Sequence, residues 1–179
     1  LWPDDPEETA RNNLRVVLAG LRRQLGAAGA GCLAADRQHV RFVPESDHAL
    51  DVRAFRELLA AVRAHAHGAA ERCEACVARL AKAADLYQGE FLAGFSLSDS
   101  PPFDEWATVM REHLHQQQLQ AVEMLTTAAE LRGDHAAQVG YARRQLALEP
   151  WREVAYAQLM RGLWASGQRS AALDQYETC

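Results

Sequence analysis

"LRGDHAAQVGYARRQLALEPWREVAYAQLMRGLWASGQRSAALDQY", residues 131–176, is the stretch whose reading decides the fold. Gly133 and Gly167 stand 34 residues apart, Ala137 answers Ala171, and Val139 answers Leu173. "LRGDHAAQVGYA" and "ASGQRSAALDQY" thus repeat one pattern: a helix end, a glycine, and a new helix opening on small residues. Glycine takes the left-handed turn that closes a helix, and small side chains let neighbouring helices approach closely. Between the two copies lies "LEPWREVAYAQLMRGL", a further helix punctuated by Pro150.

A 34-residue period of paired helices is the tetratricopeptide spacing. The helical period extends upstream to Asp51. Val52, Phe55, Leu58, Leu59 and Val62 mark one helix; Val77, Leu80, Ala84, Leu86 and Tyr87 mark a second that ends near Gly89. "FLAGFSLSDSPP" is a connector, and Ser100 followed by two prolines opens a new helix. Phe103, Trp106, Met110, Leu114, Ala121, Leu125 and Ala128 carry that helix to about Arg132. Trp106, Trp151 and Trp164 offer large surfaces for a partner, but tryptophans at helical spacing read as core, so no interface is assigned to them.

The front of the chain is different. Thr9 is the expected cap of a helix running to about Leu25, with Gly26 as its stop. Leu14, Leu18, Leu21 and Leu25 form one apolar stripe that is expected to pack. Arg11, Arg15 and Arg22 fall within roughly 40° of each other beside that stripe, and Asn12, Ala19 and Arg23 continue the surface. In "CLAADRQHVRFVP" a turn at Asp36–Gln38 and the strand residues Val40 to Val43 predict a short hairpin closed by Pro44. The expected architecture is mainly α: a helix and hairpin over residues 1–44, then tetratricopeptide-like antiparallel helix pairs over 45–179.

Charge divides the chain in the same way. The 179 residues carry a net charge of −5 with a single lysine, Lys82. Residues 9–43 nevertheless hold Arg11, Arg15, Arg22, Arg23, Arg37 and Arg41 against Asp36 alone, while everything from Glu45 onward is net acidic. A basic segment on an acidic body suggests a local contact with a polyanion. Arginine neutralises phosphates and reaches base edges, and asparagine can pair with adenine, so a recognition helix and wing fit. An amphipathic helix with a solvated arginine face fits the same residues.

"HAHGAAERCEAC", residues 65–76, spans the expected turn between the first two helices from Asp51. His65, His67, Cys73 and Cys76 can converge there, and imidazole nitrogens with thiolates are the donors of a structural zinc site. Equally, the cysteines at i and i+3 can pack as small apolar residues beside solvated histidines. Deamination is excluded, because His67 and Arg72 stand where that chemistry needs glutamate and proline. A thioredoxin-like pair would follow a strand, and this context is helical. The four cysteines, Cys32, Cys73, Cys76 and Cys179, are not a disulfide framework, which suggests a reducing, cytoplasmic setting.

No phosphate-cradling glycine loop or nucleophile elbow is present, so an enzyme is not expected. No required cofactor is foreseen beyond the open question of zinc. No apolar run is long enough to span a membrane. The chain opens on leucine and stops within "SAALDQYETC", and is expected to be part of a longer protein.

"LWPDDPEETARNNLRVVLAGLRRQLG" resembles the end of the OmpR-type winged helix in the SARP family of bacterial transcriptional activators. "AADLYQGEFLAGF", "DEWATVMREHL" and "RRQLALEPWREVAYAQLMRGLWASGQRSAALDQY" resemble the bacterial transcriptional activator domain that follows it there. The resemblance implies a transcriptional regulator. Arg11, Asn12, Arg15, Arg22 and Arg23 would face promoter DNA, with Arg37 and Arg41 on the wing. The helical domain would support activation by contacting transcription machinery or a second copy of itself. Two departures stand out: the preceding elements of the winged helix are absent, and "DRQH" replaces the glycine-rich wing turn. A tetratricopeptide scaffold without DNA binding, or a relay module of a nucleotide-hydrolysing signalling protein, are the alternatives.

Overall fold

The computed structural model describes residues 5–36, 39–46, 48–66, 68–97 and 99–178. The chain forms two compact units, Leu1–Leu50 and Asp51–Cys179. It is mainly helical, with one short hairpin followed by helix pairs, as expected.

In the first unit, α1 (Glu7–Ala30) precedes a hairpin of β1 (Leu33–Ala35) and β2 (Val40–Phe42). The strands run antiparallel with Leu33 opposite Phe42 and Ala35 opposite Val40. Helical geometry breaks at Gly26, where φ is +68°, so the expected stop is a kink inside a longer element. The start also differs from expectation. Pro6, not Thr9, precedes the first turn, its carbonyl accepts from the Ala10 amide at 3.0 Å, and Glu7 and Glu8 complement the helix dipole. The leucine stripe packs only in part: Leu14 and Leu18 are half-buried, whereas Leu21 and Leu25 are exposed. No described residue of this unit is buried. One thin hairpin cannot cover a whole helix face.

The second unit contains α2 (Asp51–Ala64), a 3-10 turn at Ala70–Arg72, α3 (Glu74–Leu86), α4 (Pro101–Arg132), α5 (His135–Leu148), α6 (Glu153–Ala165) and α7 (Arg169–Thr178). The glycine repeat is real in the backbone. Gly133 and Gly167 both have positive φ. After each, the next amide reaches back five residues, Asp134 to the Ala129 carbonyl at 3.0 Å and Gln168 to that of Leu163 at 2.9 Å. These are the same helix-closing bonds, repeated after 34 residues. Asp134 then starts α5 by accepting from the Ala137 amide at 3.0 Å. Gly162 allows α6 to approach α5, since a Cβ there would lie 3.0 Å from Val139.

The core has two parts. Phe55, Leu59, Val62, Cys76, Leu80, Leu114, Val122 and Leu125 join α2, α3 and α4. Val139, Ala142, Leu159, Leu163 and Ala172 join α5, α6 and α7. A polar seam on α4, α5 and α6 was not foreseen. Gln145 donates to Thr126 Oγ1 at 2.7 Å and to Gln158 Oε1 at 2.8 Å, and Gln138 donates to the Gln158 carbonyl at 2.9 Å. All four side chains are buried. The α3 C-terminus is closed from outside its own chain segment: Gln118 and Arg144 both donate to the Ala84 carbonyl. Arg111 holds the connector by donating to the carbonyls of Phe91, Leu92 and Phe95 at 2.9–3.0 Å.

The tryptophans correct the sequence reading. Trp106, Trp151 and Trp164 are 47, 77 and 56 % exposed. Each stands on the outer side of its helix or at a turn. Leucine, alanine and glutamine fill the narrow spaces between helices instead. Trp106 packs edge-on against Phe91 at 5.7 Å between ring centres, and Trp164 carries the Arg169 guanidinium 4.9 Å from its ring centre.

Candidate functional site

Two groups of sequence-predicted residues come together, one in each unit. In the first, Arg11, Arg15 and Arg22 line a shallow groove of about 280 Å³ with Leu14, Leu18, Ala35, Asp36 and Val40. Helix α1 supplies the arginines one and then two turns apart, with Leu18 and Ala19 between Arg15 and Arg22, and the hairpin forms the opposite wall. Arg11 pairs with Glu7 at 2.5 Å, and Arg22 donates to the Leu33 carbonyl at 3.3 Å. An exposed pair four residues apart on a helix is weak, so Glu7 gives way readily to a stronger anion. Asn12 and Arg23 are exposed on α1 outside the groove, and Arg41 is exposed on β2 opposite Ala34. Arg37 lies outside the described residues.

The second group surrounds the turn between α2 and α3. His65 follows the last residue of α2, Cys73 occupies the N-cap position of α3, and Cys76 lies one helical turn further on. His65 Nδ1 is 3.1 Å from Cys76 Sγ and 3.4 Å from Cys73 Sγ. The three donor atoms lie within 4.8 Å of one another. His67 lies outside the described residues. The turn is held by Ala70, which is buried in the core, and by the Cys73 amide bonded to the Ala70 carbonyl at 3.1 Å. Both cysteines are free thiols.

Their environments push the two thiols apart. The Cys76 backbone amide, aimed back at Cys73, holds the Cys73 thiol below its ordinary range against a smaller desolvation effect. Burial raises the Cys76 thiol, although the Arg79 guanidinium beside it favours the thiolate. Arg79 follows Cys76 by three residues, so its place on the same helix face was available from spacing. Limiting iodoacetamide at neutral pH is therefore expected to alkylate Cys73 well before Cys76. Peptide mass mapping measures the order, and preferential modification of Cys76 would contradict this environment.

No described helix is long and apolar enough to cross a membrane. No curated protein sequence matches the chain. The model of the bacterial transcriptional activator domain does match, over residues 50–179. That span takes in the whole helical unit and most of the chain, with the repeated glycine closures inside it. The chain therefore belongs to the bacterial transcriptional activator domain family.

Proposed function

We propose that this chain works in a cytoplasmic, non-catalytic DNA-binding transcriptional activator. In that reading α1 contacts promoter DNA as the recognition helix of a winged helix, with β1 and β2 as its wing. The helical unit contacts transcription machinery or a second copy of the chain. The observation that carries the reading is the family match over 50–179, joined to a preceding helix that exposes Arg11, Asn12, Arg15, Arg22 and Arg23. Guanidinium groups spaced along one helix suit phosphates spaced along a groove.

Measuring binding of the intact protein to a mixed-sequence duplex and to its promoter, across a salt series, tests this. Arg15→Ala and Arg23→Ala should each weaken binding and lower the salt slope by about one unit per lost phosphate contact. Both side chains are exposed, so the fold should tolerate the changes. Unchanged affinity and slope in both variants would remove the DNA-binding role. The exposure of Trp106, Trp151 and Trp164 favours a second reading, a protein-interaction scaffold, which predicts that outcome.

A further inference from the structure

We propose that His65, Cys73 and Cys76 form a site for a thiophilic divalent cation of the zinc class, which fastens the end of α2 to the start of α3. This goes beyond the transcriptional reading and does not depend on it.

The geometry supports it in three ways. First, a single ring nitrogen, His65 Nδ1, faces both sulfurs, at 3.1 and 3.4 Å. In a tetrahedral zinc site, Zn–S of about 2.3 Å and Zn–N of about 2.0 Å put ligand atoms roughly 3.6 Å apart. The ring nitrogen thus needs to move from each sulfur by only a few tenths of an ångström to admit the ion, and all three donors already lie within 4.8 Å of one another. Second, the donor set is soft. Two thiolates and an imidazole select zinc over magnesium or calcium, which take oxygen ligands. Third, the supports are rigid. Cys73 and Cys76 are fixed at i and i+3 on α3, Cys76 sits in the core, and Ala70 anchors the intervening turn.

Packing alone explains less. Two small apolar residues would fill the space of the cysteines, and thiol–imidazole hydrogen bonds account for the two contacts one by one, but a shared ion accounts for both sulfurs meeting one nitrogen at once. A Cys73–Cys76 disulfide is the other chemistry open to the pair. On metal binding the two thiols give up their protons to solvent and the imidazole stays neutral. Two thiolates then balance the ion's charge, and the Arg79 guanidinium near Cys76 favours the thiolate form. One tetrahedral position remains for water or another donor.

The chain, stripped with chelator and kept reduced, is titrated with Co²⁺ and then Zn²⁺. The readouts are thiolate-to-cobalt charge-transfer absorption, zinc content by native mass spectrometry and thermal midpoint. The proposal expects one zinc per chain, the charge-transfer band, and a rise in Tm on the order of 5–10 °C with zinc in excess. Cys73→Ser and His65→Ala should each weaken zinc binding at least about tenfold, and Cys32→Ser should leave it unchanged. Cys73 and His65 are not buried, so these variants should fold even if a Cys76 variant does not. Uptake below about 0.2 equivalents without a Tm shift would overturn the site. So would binding that both variants leave unchanged, or a Cys73–Cys76 disulfide that persists with zinc present under the same reductant.

Discussion

Gln145→Glu is expected to lower the stability of the helical unit by about 3–5 kcal/mol at neutral pH. Gln145 is fully buried on α5, and its amide nitrogen is a donor to Thr126 on α4 and to the Gln158 side-chain carbonyl on α6. Glutamate has nearly the same shape but, ionised, can only accept. It would aim a carboxylate at the Gln158 oxygen with no cation beside it, in a space that excludes water. Such a group holds its proton instead, so its folded pKa rises above the unfolded value. The native state then binds more protons than the unfolded state, and stability falls as pH rises through the range between the two pKa values. Urea denaturation of both proteins at several pH values tests this. The deficit should be largest near pH 7 and shrink toward pH 4–5 as the acid becomes neutral in both states. A pH-independent deficit, or none, would show that the seam around Gln145 is open to water.

Leu125→Ala is expected to cost about 3–4 kcal/mol, and Trp151→Ala less than about 0.5 kcal/mol. Leu125 is 1 % exposed in the core that joins α2, α3 and α4. Truncation removes three carbons from water-excluded packing and leaves a cavity that rigid neighbouring helices fill only partly. Trp151 has far more atoms but sits in the turn between α5 and α6, largely in solvent, so little burial is lost. For a unit of this size the leucine change should lower Tm by roughly 10 °C. Thermal melts followed by circular dichroism give both values. A tryptophan variant that melts as early as the leucine variant would place Trp151 in the core after all.

The contrast between these two residues marks where sequence reasoning succeeds. Leu125 was legible because its helical phase matches Leu114, Ala121 and Ala128, all buried on the same helix. Trp151 was not legible by the rule that large aromatics go inside. Closely packed helices leave room for leucine and alanine, and the indoles went to outer faces. The polar seam escaped for the opposite reason. Gln138 and Gln145 look like ordinary surface residues, and their amide nitrogens find acceptors only on other helices, Thr126 and Gln158. At the candidate metal centre, the sequence identified His65, Cys73 and Cys76 by type and proximity. The meeting of one ring nitrogen with both sulfurs depends on the path of the turn, which Ala70 fixes from inside the core.

By itself, then, the sequence determined the order of the elements, the hairpin, the helix pairs and their 34-residue repeat, because these follow from local physics. Glycine between two helical stretches closes the first, as at Gly133 and Gly167, proline opens one, and apolar spacing chooses a face. Tertiary structure decided what each face meets. It left Leu21 and Leu25 of α1 exposed beside a hairpin too thin to cover them. It made the α3 terminus depend on Gln118 and Arg144, from elements far along the chain. Burial and pairing are properties of neighbours, and neighbours distant in sequence exist only once the chain has folded.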